Sequence, residues 1–154
     1  MTLQIGDKAP DFTMPADGGG EVSLASLKGR PVVLYFYPRD DTPGCTTEAC
    51  GFRDALPDFS KVDAAIVGVS RDTVAKHDKF KAKYELPFTL GADESGAVTE
   101  AYGVWVEKSM YGRTSMGIER ATYLIDGAGV IRGVWRKVKV KGHVDEVLAA
   151  VKLL

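Results

Sequence analysis

The sequence predicts an α/β fold, a central mixed sheet flanked by helices, on three observations. Apolar runs of strand length, rich in β-branched and aromatic residues, recur at positions 32–37, 64–70 and 121–125. The first two are each followed by a segment with helical signals, the alternation that builds a parallel sheet. The third leads into Asp126-Gly127-Ala128-Gly129 and a return run, a hairpin that adds antiparallel strands at one side. A chain of 154 residues is long enough to bury a real core, and the expectation is a single domain over 1–154.

Each element has its own signal. Gly18-Gly19-Gly20 reads as a hairpin turn before Glu21-Val22-Ser23-Leu24. The run Val32-Val33-Leu34-Tyr35-Phe36-Tyr37 is a buried strand with Pro31 before it and Pro38 after it. Pro43 suits the first turn of a helix with Thr42 as its N-cap. That helix should pass Cys45, Glu48 and Phe52 and stop near Leu56, before Pro57. Residues 64–70 form a second strand and 74–84 a helix that ends before Pro87. Residues 88–90 are a short strand, and Asp93 or Ser95 caps a short helix ending near Tyr102-Gly103. After the strand at 121–125, residues 130–138 return. Within the run Arg136-Lys137-Val138-Lys139-Val140-Lys141, alternating basic and apolar residues read as a half-exposed edge strand whose lysines discourage sheet-to-sheet association. Residues 143–154 close the chain as an amphipathic helix, with Val144, Val147, Leu148 and Val151 on one face. A mixed sheet covered on both faces is the thioredoxin-like arrangement. Such sheets place their sites at the carboxyl ends of the strands.

Composition excludes several classes. A formal net charge of -1 offers no broad basic field for nucleic acid. The longest apolar runs are strand-sized, so no membrane span is expected. The opening Met1-Thr2-Leu3-Gln4-Ile5-Gly6-Asp7-Lys8 lacks a basic segment followed by an apolar one, which argues against a signal peptide and for a cytoplasmic protein. No G-x-x-x-x-G-K-[ST] and no G-x-G-x-x-G after a strand is present, so nucleotide binding has no support.

The chemistry centres on Pro38-Arg39-Asp40-Asp41-Thr42-Pro43-Gly44-Cys45. A buried strand ends in a Pro/Gly-rich turn, and a thiol sits where a helix begins. Free N–H groups and the dipole at a helix N-terminus stabilise a thiolate, and the thiolate is the nucleophile. A second cysteine, Cys50, follows five residues later, and the chain has no others. On a regular helix, residues five apart have Cα atoms about 8–9 Å apart, whereas a disulfide needs less than about 7 Å. Either Cys50 is a packing residue, or the helix unwinds when a bond forms. A zinc site is disfavoured, because His77 and His143 are far apart and lie among Lys and Asp as solvent-exposed helix residues. Arg120 stands directly before the strand at 121–125, from where the fold could bring it beside the Cys45 turn to favour a thiolate.

These residues match a known pattern. Pro38-x-x-x-Thr42-x-x-Cys45 resembles the active-site motif of the peroxiredoxins. Tyr35-Phe36-Tyr37-Pro38, Thr42-Pro43-Gly44-Cys45-Thr46 and Cys50 resemble the Q-type subfamily, also called bacterioferritin comigratory proteins. The likeness extends to Gly6-Asp7-x-Ala9-Pro10-x-Phe12, to Tyr102-Gly103-Val104-Trp105 and to Gly117-Ile118-x-Arg120-x-Thr122-Tyr123-Leu124-Ile125-Asp126. The resemblance implies a thiol peroxidase acting on hydrogen peroxide and organic hydroperoxides. Cys45 would be the peroxidatic cysteine and Cys50 the resolving one, closing an intramolecular disulfide that a thioredoxin-type reductant reopens. Thr42 and Arg120 fall on the family's catalytic threonine and arginine, and Pro38 on its shielding proline. Backbone N–H groups at Gly44 and Cys45, with Arg120 and Thr42, would hold the peroxide. Glu48 would orient an arginine, either Arg53 or Arg120. No metal or other cofactor is required, and the expected state is a monomer or at most a weak dimer. Two rivals share the fold: a thiol–disulfide exchange protein, in which C-x-x-C would be expected in place of C-x-x-x-x-C, and a non-enzymatic binding domain.

Overall fold

The computed structural model describes residues 2–154, with the side chain of Met110 left aside. An N-terminal hairpin pairs β1 (Thr13–Pro15) with β2 (Glu21–Ser23), turned by a 3-10 segment at Asp17–Gly19. The chain then runs through β3 (Val32–Phe36), α1 (Pro43–Lys61), β4 (Ala65–Ser70), α2 (Val74–Tyr84), β5 (Thr89–Ala92) and α3 (Ala97–Ala101). It continues through β6 (Trp105–Met110), β7 (Arg113–Ile118), β8 (Ala121–Ile125), β9 (Ile131–Trp135) and α4 (His143–Lys152). The central sheet has the order β5-β4-β3-β8-β9. β3, β4 and β5 are parallel; β8 pairs antiparallel with β3, and β9 pairs antiparallel with β8. This is the mixed sheet of the thioredoxin-like fold.

β3 is buried along its whole length, and its side chains alternate between two cores. Val32, Leu34 and Phe36 pack with the N-terminal hairpin, Val98 of α3 and Tyr102. Val33, Tyr35 and the following Tyr37 pack with Cys45, Ala49 and Phe52 of α1, Phe80 of α2, and Val147 and Val151 of α4. The sequence-predicted strands and helices are present except at 136–141, and the carboxylate of Asp93 caps α3 by accepting from Val98 and Thr99 N–H at 3.2 and 2.8 Å.

Three expectations are corrected, and one hairpin is added. α1 does not stop before Pro57 but continues to Lys61 with the proline inside it. Phe59, fully buried against Phe52 with ring centroids 5.9 Å apart, lies on the far side of the proline. Burying such a ring is worth about 1.5–3 kcal/mol, which offsets a helix-interior proline cost of about 3 kcal/mol. Residues 136–141 are not an edge strand: β9 ends at Trp135, and the backbone there turns with Lys137 at φ 49. The hairpin of β6 and β7 was not expected at all. Finally, His77 and His143 are not surface residues, being 0% and 2% exposed. Among the described residues no helix is long and apolar enough to cross a membrane.

Candidate active site

The site forms where β3 hands over to α1. Thr42 occupies the N-cap position of α1 with extended backbone (φ -96, ψ 156), and Pro43 opens the helix. The Thr42 hydroxyl caps no helix N–H; it donates instead to the Arg39 carbonyl at 3.0 Å. Its lone pairs therefore stay available to accept a proton donor from outside. The first helical bond runs from Thr46 N–H to the Thr42 carbonyl at 2.8 Å. The N–H groups of Gly44 and Cys45 precede that bond and have no partner within the helix. Cys45 lies in this first turn and is 1% exposed.

Topology delivers the arginine. β8 is antiparallel to β3 with Phe36 opposite Ala121, so the start of β8 lies at the end of β3. Arg120, immediately before β8, thereby reaches a residue 75 positions earlier: its Nη2 donates to Cys45 Sγ at 3.4 Å. Its Nη1 donates to Glu48 Oε1 at 2.7 Å. Glu48 thus pairs with Arg120, while Arg53 turns away to the Tyr84 carbonyl and Asp54. Gly44 leaves room for the guanidinium, since a Cβ there would stand 3.1 Å from Arg120 Nη2.

Glu48 is fully buried, and its second oxygen has no hydrogen-bond partner among the described residues; nor does the buried Tyr35 hydroxyl. Burial lifts the Glu48 carboxyl to about 7, with the charge and hydrogen bond of Arg120 pulling the other way. Burial alone would weaken the Arg120 cation, but Glu48 and Cys45 outweigh it and raise its pKa. His143, hydrogen-bonded through Nε2 to Thr122 Oγ1 at 2.8 Å, is pushed down to about 4 by burial and by the charge of Arg120. A neutral imidazole therefore adds no second cation beside the arginine near neutral pH.

The Glu48 shift has a measurable consequence. The folded state keeps this proton up to about 7, whereas the ordinary value is 4.5. Between those pH values the folded chain binds more protons, so this group's contribution to stability declines as pH rises. Urea unfolding across that range should show the decline in the wild type relative to Glu48→Gln, which keeps the shape but cannot titrate.

Pro38 is exposed and rims a cavity of about 620 Å³, shared with Arg39, Thr42, Arg71, Trp105, Lys108 and Ile118. The unexpected β6–β7 hairpin supplies its far wall. Arg71 stacks 3.4 Å over the Trp105 ring, and burial together with the Arg120 charge lowers the Lys108 pKa. Neither residue carries a sequence signal, because nothing local in the chain says that this hairpin folds over the Cys45 turn. Cys50 is half-buried on α1, and both cysteines are free thiols. Among the described residues no three His, Cys, Asp or Glu side chains cluster as metal ligands would.

The chain is similar to known proteins over nearly its whole length. The model of the AhpC/TSA family matches residues 5–134. A peroxiredoxin Bcp of Bacillus subtilis is 53% identical, covering 99% of this chain and 97% of its own. A putative peroxiredoxin bcp of Coxiella burnetii is 55% identical, covering 96% of this chain and 98% of its own. Among solved structures, a cysteine-to-serine mutant of Xylella fastidiosa PrxQ superposes with a TM-score of 0.94 at 39% identity, over 99% of this chain and 98% of that one. The Xanthomonas campestris bacterioferritin comigratory protein, described for its alkyl peroxide reduction activity, superposes with a TM-score of 0.88 at 46% identity, over 92% of this chain and 90% of that one. With a thiol at a helix N-terminus under a guanidinium, and with relatives matched over nearly its whole length, this chain belongs to the AhpC/TSA family and, within it, to the Q-type or bacterioferritin comigratory peroxiredoxins, enzymes that reduce peroxides with a cysteine thiol.

Proposed function

We propose that the chain reduces hydrogen peroxide and organic hydroperoxides with Cys45 as the peroxidatic thiolate and Cys50 as its resolving partner. The observation that carries this reading is the Arg120 fork, one nitrogen on the Cys45 sulfur and the other on Glu48. The thiolate attacks one peroxide oxygen in line with the O–O bond. That bond breaks, and the other oxygen leaves as hydroxide or alkoxide and takes a proton from water. Arg120, the Gly44 and Cys45 N–H groups and the Thr42 hydroxyl surround the place where negative charge moves along this axis. Cys45 is left as a sulfenic acid. The Cys50 thiol then attacks that sulfur, a water leaves, and a disulfide forms. A dithiol reductant of the thioredoxin type restores both thiols by exchange. The cavity beside Thr42 is far larger than hydrogen peroxide needs, and its Trp105, Met116 and Ile118 surfaces suit the organic part of a hydroperoxide. A reducing cytoplasm suits a chain whose two cysteines cycle, and a monomer is the proposed working state.

Cys50 sits on an intact α1, where residues five apart are about 8–9 Å apart. The disulfide therefore requires the first turns of α1 to unwind. Cys50→Ser should leave the first oxidation of Cys45 nearly intact, because Cys50 makes no bond in that step, while turnover with a thioredoxin-type reductant fails or weakens sharply. Stopped-flow fluorescence follows the first step, and mass spectrometry then finds Cys45 advancing to sulfinic acid. A normal turnover rate would mean that an outside thiol resolves Cys45. Activity with hydrogen peroxide and dithiothreitol separates this reading from a thiol–disulfide exchange protein and from a non-enzymatic binding domain.

A further inference from the structure

Loop 38–42 joins β3 to α1 and carries Pro38 and Thr42, yet much of it has little hold of its own. Pro38 and Arg39 are exposed, and Asp41 adopts a left-handed φ of 59. The anchor is Asp40. Its Oδ1 accepts from the Tyr37 hydroxyl at 2.5 Å, and its Oδ2 lies 2.6 Å from His77 Nδ1. Its backbone N–H donates to Asp72 Oδ2 at 2.8 Å, which also accepts from Ser70 Oγ at 2.7 Å. The other ring nitrogen of His77, Nε2, lies 2.9 Å from the Gly91 carbonyl on β5. The ring is fully buried, and the Asp40 side chain is 5% exposed.

A carbonyl oxygen and a carboxylate can only accept. A neutral imidazole donates from one nitrogen and would turn a lone pair on one of these two oxygens. With Asp40 as a carboxylate, both contacts are satisfied only if both nitrogens carry protons. We propose that His77 is a positioning residue for the reaction at Cys45: an imidazolium bridging Asp40 and Gly91, it ties loop 38–42, and with it Thr42 and the first turn of α1, to α2 and the sheet. This rests on the peroxidase reading above and adds a residue that touches neither the peroxide nor the thiol.

The charged groups facing the ring are Asp40 from the loop and Asp72 beyond β4, with Lys76 of α2 reaching Asp72 at 4.0 Å and the Tyr37 hydroxyl closing on Asp40. Burial disfavours the charged ring, but the hydrogen bond and charge of Asp40 outweigh it, and the His77 pKa is raised above 6.5. The clamp is therefore complete below the ordinary histidine range and is lost as pH rises through the raised value. Lys83 and Tyr84 add a second grip on the same loop, holding the Asp41 carboxylate at 2.8 and 2.9 Å.

The test has two arms. In the reduced wild type, nitrogen-15 NMR of the imidazoles should show both His77 nitrogens protonated below the ordinary histidine range, with the titration midpoint displaced above the ordinary value. A midpoint at or below the ordinary value, or one unprotonated nitrogen throughout, overturns the proposal without any variant. Stopped-flow oxidation by hydrogen peroxide is then compared in wild type and His77→Gln. The rate per folded molecule should fall about tenfold in the variant, below the roughly 10²-fold that a misplacement of about 1 Å can cost. The wild-type profile should also carry an alkaline decline, at the pKa measured by NMR, that the variant lacks. Equal rates and superimposable profiles in a variant that unfolds earlier would reduce His77 to a core residue and overturn the inference. A wild type that peroxide does not oxidise at all would instead overturn the peroxidase reading.

Discussion

Peroxide reduction should vanish in Cys45→Ser. A serine hydroxyl is not ionised near neutral pH, and oxygen is a poor nucleophile toward a peroxide bond, so Arg120 and the helix N-terminus would have no anion to present. The substitution exchanges sulfur for oxygen in a site that is 1% exposed, and the fold should survive it. Consumption of hydrogen peroxide with dithiothreitol should drop to the rate without protein, while circular dichroism stays unchanged. Retained turnover would assign the chemistry to Cys50.

Arg120→Ala should have the next largest effect. Removing one preorganised donor of transition-state charge costs roughly 10²–10³ in rate, and here the same group also holds the sulfur. The loss reaches stability as well, because the fully buried Glu48 would lose its partner and, with its pKa rising further, stay protonated as a buried polar group without that hydrogen bond, a defect that commonly costs about 1–3 kcal/mol. The two consequences separate in a double variant. Arg120→Ala with Glu48→Leu should recover much of the stability in urea unfolding but none of the oxidation rate. Arg120→Lys keeps the charge but not the fork, and should fall between. An unchanged oxidation rate in Arg120→Ala would remove the arginine from the site.

What the sequence disclosed, it disclosed through local pattern. The run at 32–37 is apolar at every position because both faces of β3 are buried, and Thr42-Pro43-Gly44-Cys45 spells a helix start in four adjacent residues. Arg120 is legible as a candidate from its place before a strand, but its approach to Cys45 depends on the antiparallel register of β8 against β3, which no local pattern encodes. The failures have the same root. Arg113, Thr114, Ser115 and Met116 of β7 are all exposed, so the β6–β7 hairpin shows no apolar alternation and was missed. His77 and His143 have charged sequence neighbours, yet each meets partners distant in sequence: His77 finds Asp40 and Gly91, and His143 finds Thr122. Pro57 read as a stop because its own cost is local, while the compensating burial of Phe59 against Phe52 is tertiary.

The distance along the chain between the thiol and its guanidinium has a consequence during synthesis. Cys45 is made 75 residues before Arg120. At about 5–20 residues per second, the interval is about 4–15 s. Throughout it the emerging chain holds the cysteine without the cation that completes its site, and β3 has β4 on one side but not yet β8 on the other. A ribosome-bound fragment ending before residue 119 should therefore react with peroxide no faster than a free thiol. Full reactivity would be reached only once β8 zips onto β3, so the nucleophile is armed late, after the segment that carries its cation has been made.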